Sequence, residues 1–256
     1  MLGCMITLAI DGALATCTLA RAPVNAIDEE WLARLDAVLA DVQRAPDIGA
    51  LLVRSTERAF CAGADLAFMR SHMDSPDGRL RFVAFVREIQ RVFARLERLP
   101  QVTLAEIGTN ALGGGLELAL CCDLRIAAED ARIGLPETGL GLLPGAGGTQ
   151  RLTRIAGEAT AKRLILGAEV VSGAQAAALG IVHWAVPAAE LAARGGALAG
   201  RIAALPAAAL AEAKRCIDAA VARQTPGYEL ELDATARLLG QEETRARVRA
   251  FLEKRR

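Results

Sequence analysis

Apolar positions repeat with two different periods along the chain, and the places where one period gives way to the other mark the elements. Residues 5–10 and 13–20 alternate apolar and polar side chains around Asp11-Gly12, which predicts a β-hairpin. From Asp28, the stretch DEEWLARLDAVLADVQR spaces its apolar residues every three or four positions behind a capping aspartate, the pattern of an amphipathic helix. Residues 50–54 read as a buried strand. Residues 77–99 read as a helix with Leu80, Phe82, Phe85, Ile89, Val92 and Leu96 near one face, ending before Pro100. Strands at 102–107 (VTLAEI) and 124–128 (LRIAA) bracket a helix that starts on glycines in ALGGGLELALCCD, residues 111–123. After Ala159 the pattern is mainly helical, with 188–205, 207–223 and 228–254 as the long pieces. Residues 170–189 carry no formal charge over a membrane-spanning length, but Ser172, Gly173, Gln175, Gly180, His183 and Pro187 cut them into a short helix and a strand of the core. Strands alternating with helices predict an α/β fold. No Ser/Gly tract, charge run or repeat interrupts the chain, so one α/β core over 1–190 is expected, followed by a helical region over 191–256.

Composition and charge narrow the partners. With 53% apolar and 23% charged residues the chain has the make-up of a packed globule, and with 4% aromatics that core is built mainly of Ala, Leu, Val and Ile. Thirty basic residues balance thirty acidic ones, so no global field draws in nucleic acid or an anionic membrane. A small molecule or another protein is the expected partner. The basic end RARVRAFLEKRR reads as a helix with solvated charges. Six cysteines lack any CxxC spacing and only two histidines accompany them, so no metal site is expected. Buried free thiols fit a reducing compartment, and MLGCMITLAIDG lacks the basic and apolar regions of a signal peptide, which together predict a cytoplasmic protein.

Four segments have the composition of a site. FCAGADL, residues 60–66, is a small-residue loop between a strand and a helix, where backbone N–H groups can approach a ligand. In ALGGGLELALCCD the N–H groups at the helix start lack intrahelical acceptors, and the helix dipole there favours negative charge. Glu117 falls in that first turn. Its neighbours Ala111, Leu112, Leu116, Leu118, Ala119 and Leu120 leave no polar face, so a buried carboxylate there needs a partner or a task. The stretch ARIGLPETGLGLLPGAGGTQRL, residues 131–152, puts Glu137 after a short strand and before a glycine-rich turn. It fits neither a phosphate loop, since Thr149 and Gln150 stand where Lys and Ser/Thr belong, nor a GxGxxG fingerprint. Its glycines are read as letting a loop pack beside Glu137. The fourth, RAPVNAI at 21–27, is by itself a turn leading into a helix. Cys61 has no sequence-local base, His72 lies on a polar segment and His183 stands beside Trp184, so none of the three is expected to be catalytic.

In this order the segments RAPVNAI, AFCAGADL, ALGGGLELALCCDLRIA and IGLPETGLGLLPGAGGTQRL, followed by AKRLILG and SGAQAAALGIV, resemble the enoyl-CoA hydratase/isomerase (crotonase) family. The resemblance covers nearly the whole chain. It implies a spiral of ββα units with a helical C-terminal trimerisation region, and a homotrimer or homohexamer. It implies that the N–H groups of Ala64 and Gly114 form an oxyanion hole for a thioester carbonyl, each such donor being worth ~2.7–4 kcal/mol. It gives Glu117 the activation of water and Glu137 the delivery of a proton to C2, with Ala62, Asp65, Leu66 and Gly145 at the substrate. The expected reaction is reversible hydration of a trans-2-enoyl-CoA to a 3-hydroxyacyl-CoA, in which coenzyme A enters as part of the substrate and no separate cofactor is needed. An enoyl-CoA isomerase and a non-catalytic or RNA-binding member are the alternatives. Two positions depart from the family pattern: Ala67 stands where a lysine is frequent, leaving Arg70 or Arg79 to contact the CoA, and Thr109 stands where a glycine is frequent.

Overall fold

The structure is a computed structural model that describes residues 5–72 and 74–222 together with 237, 242, 244 and 246. The alternating N-terminal residues form a hairpin, β1 (Ile6–Asp11) and β2 (Leu14–Leu19), turned at Gly12 with φ +56°. Helix α1 (Glu29–Gln43) starts where the sequence predicts, because the Asp28 carboxylate accepts the Trp31 N–H at 2.9 Å. Three ββα passages follow. They comprise β3 (Ala50–Ser55) and β4 (Ala59–Cys61), leading to α2 (Leu66–Ser71) and α3 (Pro76–Glu97); β5 (Val102–Ile107) and β6 (Asn110–Leu112), leading to α4 (Gly114–Leu120); and β7 (Leu124–Ala128) and β8 (Arg132–Gly134), leading through a 3₁₀ turn (Pro136–Leu140) to α5 (Gly148–Leu166). The uncharged stretch becomes β9 (Val170–Ser172), α6 (Gly173–Ala178) and β10 (Trp184–Val186), and α7 (Ala188–Ala203) and α8 (Ala207–Ala222) complete the described chain.

Each passage splits its two strands between two sheets. The first strand joins a six-stranded sheet of order β1-β2-β3-β5-β7-β10, and the second joins a four-stranded sheet of order β4-β6-β8-β9. In the smaller sheet β4, β6 and β8 run parallel, so the loops leaving their C-terminal ends emerge at one edge. Those loops carry residues 62–65, 113–114 and 135–140. Topology alone therefore gathers three of the four candidate segments.

The core lies around these sheets, with Trp31, Leu35 and Leu39 of α1 and Phe93 and Leu96 of α3 fully buried. Leu80, by contrast, is 69% exposed, because it sits two residues and more than half a helical turn away from the inward-facing Phe82. Helix α5 begins at Gly148, eleven residues before the helical pattern becomes readable at Ala159, and it is broken at Gly157, where φ is +82°. Glycines at its start give no periodic signal. Helix α7 runs through the expected boundary at 190 and packs back on β3, β5 and β7. The helix expected over 228–254 lies outside the described residues apart from the four isolated positions.

One glycine fixes how α4 meets the small sheet. A Cβ on Gly115 would stand 1.9 Å from the Cys61 carbonyl oxygen, so the helix can lie against β4 only without a side chain there. Gly115→Ala should therefore destabilise the protein by about 3 kcal/mol, the upper range for overpacking, as measured by urea unfolding. A loss below about 1 kcal/mol would show that α4 can lift off β4 freely.

Candidate functional site

The RAPVNAI segment builds the first wall. Asn25 is fully buried in a left-handed conformation (φ +52°), which asparagine tolerates better than most residues. Its side-chain amide donates to the Ser55 hydroxyl and to the carbonyls of Ala59 and Phe60, and its Oδ1 accepts the Arg21 N–H at 2.8 Å. The chain from 24 to 27 then runs beside the AGAD loop. The Ala62 N–H donates to Val24, the Ile27 N–H to Gly63 and the Asp65 N–H to Ile27, while the Gly63 N–H reaches the Cys61 sulfur at 3.4 Å. This pairing engages the N–H groups of residues 62, 63 and 65. Among the described residues no turn or loop acceptor takes the Ala64 N–H or the Gly114 N–H, the latter being the first of α4. The two backbones touch: a Cβ on Gly114 would lie 3.4 Å from the Ala64 nitrogen, and one on Gly63 would lie 2.9 Å from the Gly114 nitrogen. Two unengaged donors thus sit side by side at the edge where the β4 and β6 loops meet.

Glu117 is 3% exposed, and its Oε1 accepts the N–H groups of Ala146 at 2.8 Å and Gly148 at 2.7 Å. The glycine-rich turn therefore packs against Glu117 and not, as the sequence suggests, primarily against Glu137. Gly148 permits this approach, since a Cβ there would crowd Pro144 at 2.8 Å and the Glu117 carboxylate oxygen at 3.0 Å. Burial pushes the Glu117 carboxyl up to about 7 against the pull of the Gly148 N–H, and the nearby Glu137 pushes it further in the same direction. Glu137 is half-buried on the 3₁₀ turn. Burial raises it as well, and its Oε2 is enclosed without a hydrogen-bond partner among the described residues. Its carboxyl lies against Gly113, the left-handed residue (φ +54°) that precedes α4.

Both glutamates face one cavity of about 290 Å³. Ala62, Ala64, Leu66, Gly114 and Gly145 line it with them, which brings together seven of the eight residues expected at the site. Asp65 is the exception. Its carboxylate caps α2 by accepting the Ala67 and Phe68 N–H groups and pairs with Arg21 at 3.3 Å, so it shapes the loop instead of facing the cavity. The Phe68 N–H is the main reason its carboxyl stays below the usual range, with burial opposing and Ala67 and Arg21 assisting. The remaining wall is apolar, made by Ile27, Met69, Phe82, Val86 and Ile89, and Leu66, Leu140 and Leu143 stand more than 60% exposed at its rim. Such a space suits an acyl chain delivered from solvent.

Neighbouring groups are accounted for. Burial pushes the Cys61 thiol up to about 12, and the thiol donates to the Asn25 carbonyl. His72 packs on Phe68 with ring centroids 4.5 Å apart. His183 accepts the Arg125 N–H, and burial lowers its titration. Among the described residues no group of three or more His, Cys, Asp or Glu side chains could hold a metal ion, and no single helix is long and apolar enough to cross a membrane. Sequence reasoning overlooks Arg21 and Asn25, whose work is to place backbone atoms. The sequence does offer one signal for Asn25, an asparagine in a strand-to-helix turn.

A buried carboxylate pair beside two free N–H donors is the arrangement of an enzyme that handles protons on a carbonyl compound. The model of the family described as enoyl-CoA hydratase/isomerase matches residues 9–256, and the chain belongs to that family, the crotonases. It is 34% identical to a crotonyl-CoA hydratase of Syntrophomonas wolfei over 241 residues, covering 91% of this chain and 88% of that one. It is 38% identical to a short-chain-enoyl-CoA hydratase of Clostridium acetobutylicum over 183 residues, covering 71% and 68%. Its fold is similar to the crystal structure of an enoyl-CoA hydratase from Bacillus anthracis, with a TM-score of 0.89 at 32% identity, covering 98% of this chain and 96% of that one. The ββα passages are thus those of the crotonase fold.

The buried Glu117 carries a stability signature. Its folded-state titration near 7 lies above the ordinary 4.5, so between those values the native chain retains a proton that the unfolded chain has released. That contribution is complete below pH 4.5 and is lost as pH rises through about 7. Glu117→Gln should therefore leave thermal stability nearly unchanged at pH 4 and raise it by ~3 kcal/mol at pH 8, as measured by calorimetry. Equal effects at both pH values would contradict the perturbed titration.

Proposed function

We propose that the protein catalyses the reversible hydration of a trans-2-enoyl-CoA to a 3-hydroxyacyl-CoA. The observation that carries this reading is the pair of carboxyls, Glu117 and Glu137, facing one cavity beside the Ala64 and Gly114 N–H groups. The thioester carbonyl oxygen lies between those two donors, which stabilise the negative charge it gains when C3 is attacked. Glu117, ionised, takes a proton from water as the oxygen bonds to C3. Glu137, protonated, gives its proton to C2 as the enolate collapses. The bookkeeping closes: one water is added, Glu117 holds a proton and Glu137 has released one, and a transfer between the pair restores the start.

Burial resists ionisation of both carboxyls and Glu137 adds to the resistance of Glu117, so the pair can hold one proton between two oxygens and pass it from one carboxyl to the other. Oε1 of Glu117 is occupied by two N–H donors, which leaves its second oxygen to meet water. A double-bond isomerase moves a proton between carbons and has no use for a second carboxyl that activates water. The apolar wall and leucine rim fit an acyl chain, and the reaction requires no cofactor beyond the coenzyme A of the substrate.

Purified protein should consume the conjugated-thioester absorbance of crotonyl-CoA or a longer enoyl-CoA. Glu117→Gln and Glu137→Gln should each lower kcat by ~10²–10⁴-fold while the circular dichroism spectrum is kept. Wild-type rates in both variants would refute the assignment of the two glutamates.

A further inference from the structure

The turn that holds Glu117 is itself gripped from its other side. Arg151 of α5 is 9% exposed, and its Nη1 donates to the Ala146 carbonyl at 3.0 Å. Its Nε and Nη2 both donate to one oxygen of Glu97, the last residue of α3, at 3.1 and 2.8 Å, and Arg154 pairs with the other oxygen. Its own backbone N–H donates to Gly147 at 2.9 Å. The guanidinium fills the hollow of the turn: a Cβ on the left-handed Gly147 (φ +107°) would stand only 2.1 Å from Nη1. Ala146 is thus held through its carbonyl by Arg151 while its N–H holds Glu117.

We propose that Arg151, anchored by Glu97, is a positioning residue for the reaction: by gripping the inner side of the Ala146–Gly148 turn it keeps two N–H groups aimed at Glu117. The inference rests on the reading that Glu117 takes the proton from water. Arginine suits the task because its planar fork can satisfy a carbonyl and a carboxylate at once, which a lysine ammonium cannot do with the same geometry. Its charge adds a second effect, since it favours the ionised form of Glu117 against burial and against Glu137. The other groups facing Glu117 are the thiols of Cys61 on β4 and Cys121 beyond α4, both held neutral by burial, and Glu97 acts on it at one remove by partly offsetting Arg151.

The test follows the Glu117 carboxyl directly by carbon-13 NMR of glutamate-labelled protein, its signal assigned by loss in Glu117→Gln, alongside the pH profile of enoyl-CoA hydration. Arg151→Met should move the Glu117 titration and the acid limb of the profile upward by ~1 unit. It should lower kcat by ~10- to 100-fold with KM changed less than about threefold. Arg151→Lys keeps the charge and loses the fork, so it should restore the titration to near that of the wild type while kcat stays about three- to tenfold low. An unmoved Glu117 titration in folded Arg151→Met overturns the proposal whatever happens to kcat, because a merely structural role would lower activity without it. Should Arg151→Met fail to fold, Arg151→Gln takes its place: an upward move of the Glu117 titration with lowered kcat supports the proposal, and an unmoved titration overturns it. If the wild type hydrates no enoyl-CoA, the proposed function fails by itself, and the NMR titration still decides whether Arg151 governs Glu117.

Discussion

A carboxylate enclosed in apolar surroundings has to be answered by donors, and the site is organised around how this chain answers Glu117. Two backbone N–H groups, one from the turn before α5 and one from its first residue, meet one oxygen, and the rest of the group is left to burial, which keeps its titration near neutrality. Full solvation would leave a weak base at its ordinary value, and a tight ion pair would hold it ionised but inert. The intermediate solution gives a carboxyl that can exchange a proton at working pH. It also makes the ionised native state less stable than a neutral side chain there would allow, the usual tension between a working site and a stable one.

The same logic accounts for the glycines. Gly115 lets α4 lie on β4, Gly113 turns the chain so that Gly114 presents its N–H, and Gly148 lets α5 reach Glu117. These positions are set by close approach of backbone to backbone or to a carboxylate. Asn25 and Arg21 complete the device from the other side by tying the 24–27 segment to the AGAD loop, so that every N–H from 62 to 65 except that of Ala64 is engaged. Specificity of placement comes from hydrogen bonds that use up the alternatives.

Much of this is legible in the sequence. The hairpin around Asp11-Gly12, the Asp28 cap and the glycine-started α4 follow from local rules, and Glu117 stands out because none of its sequence neighbours is polar. What stayed hidden has physical reasons. Strands β4, β6 and β8 are three residues each, too short for a period, yet their parallel order is what gathers the site loops. The start of α5 is glycine-rich and shows no periodicity, so the sequence hides the donors to Glu117 and points the glycine turn toward Glu137 instead. Asp65 has the residue type of a ligand contact but spends its oxygens on capping α2 and holding Arg21, a use that only geometry reveals.

The central claim is that the glutamate pair adds the elements of water across a double bond beside a thioester. The most direct measurement is the mass spectrum of the product formed from an enoyl-CoA in oxygen-18-labelled deuterium oxide. The account predicts one solvent oxygen at C3 and one deuterium at C2 of a 3-hydroxyacyl-CoA. Product carrying solvent deuterium with no solvent oxygen, and a shifted double bond, would contradict it.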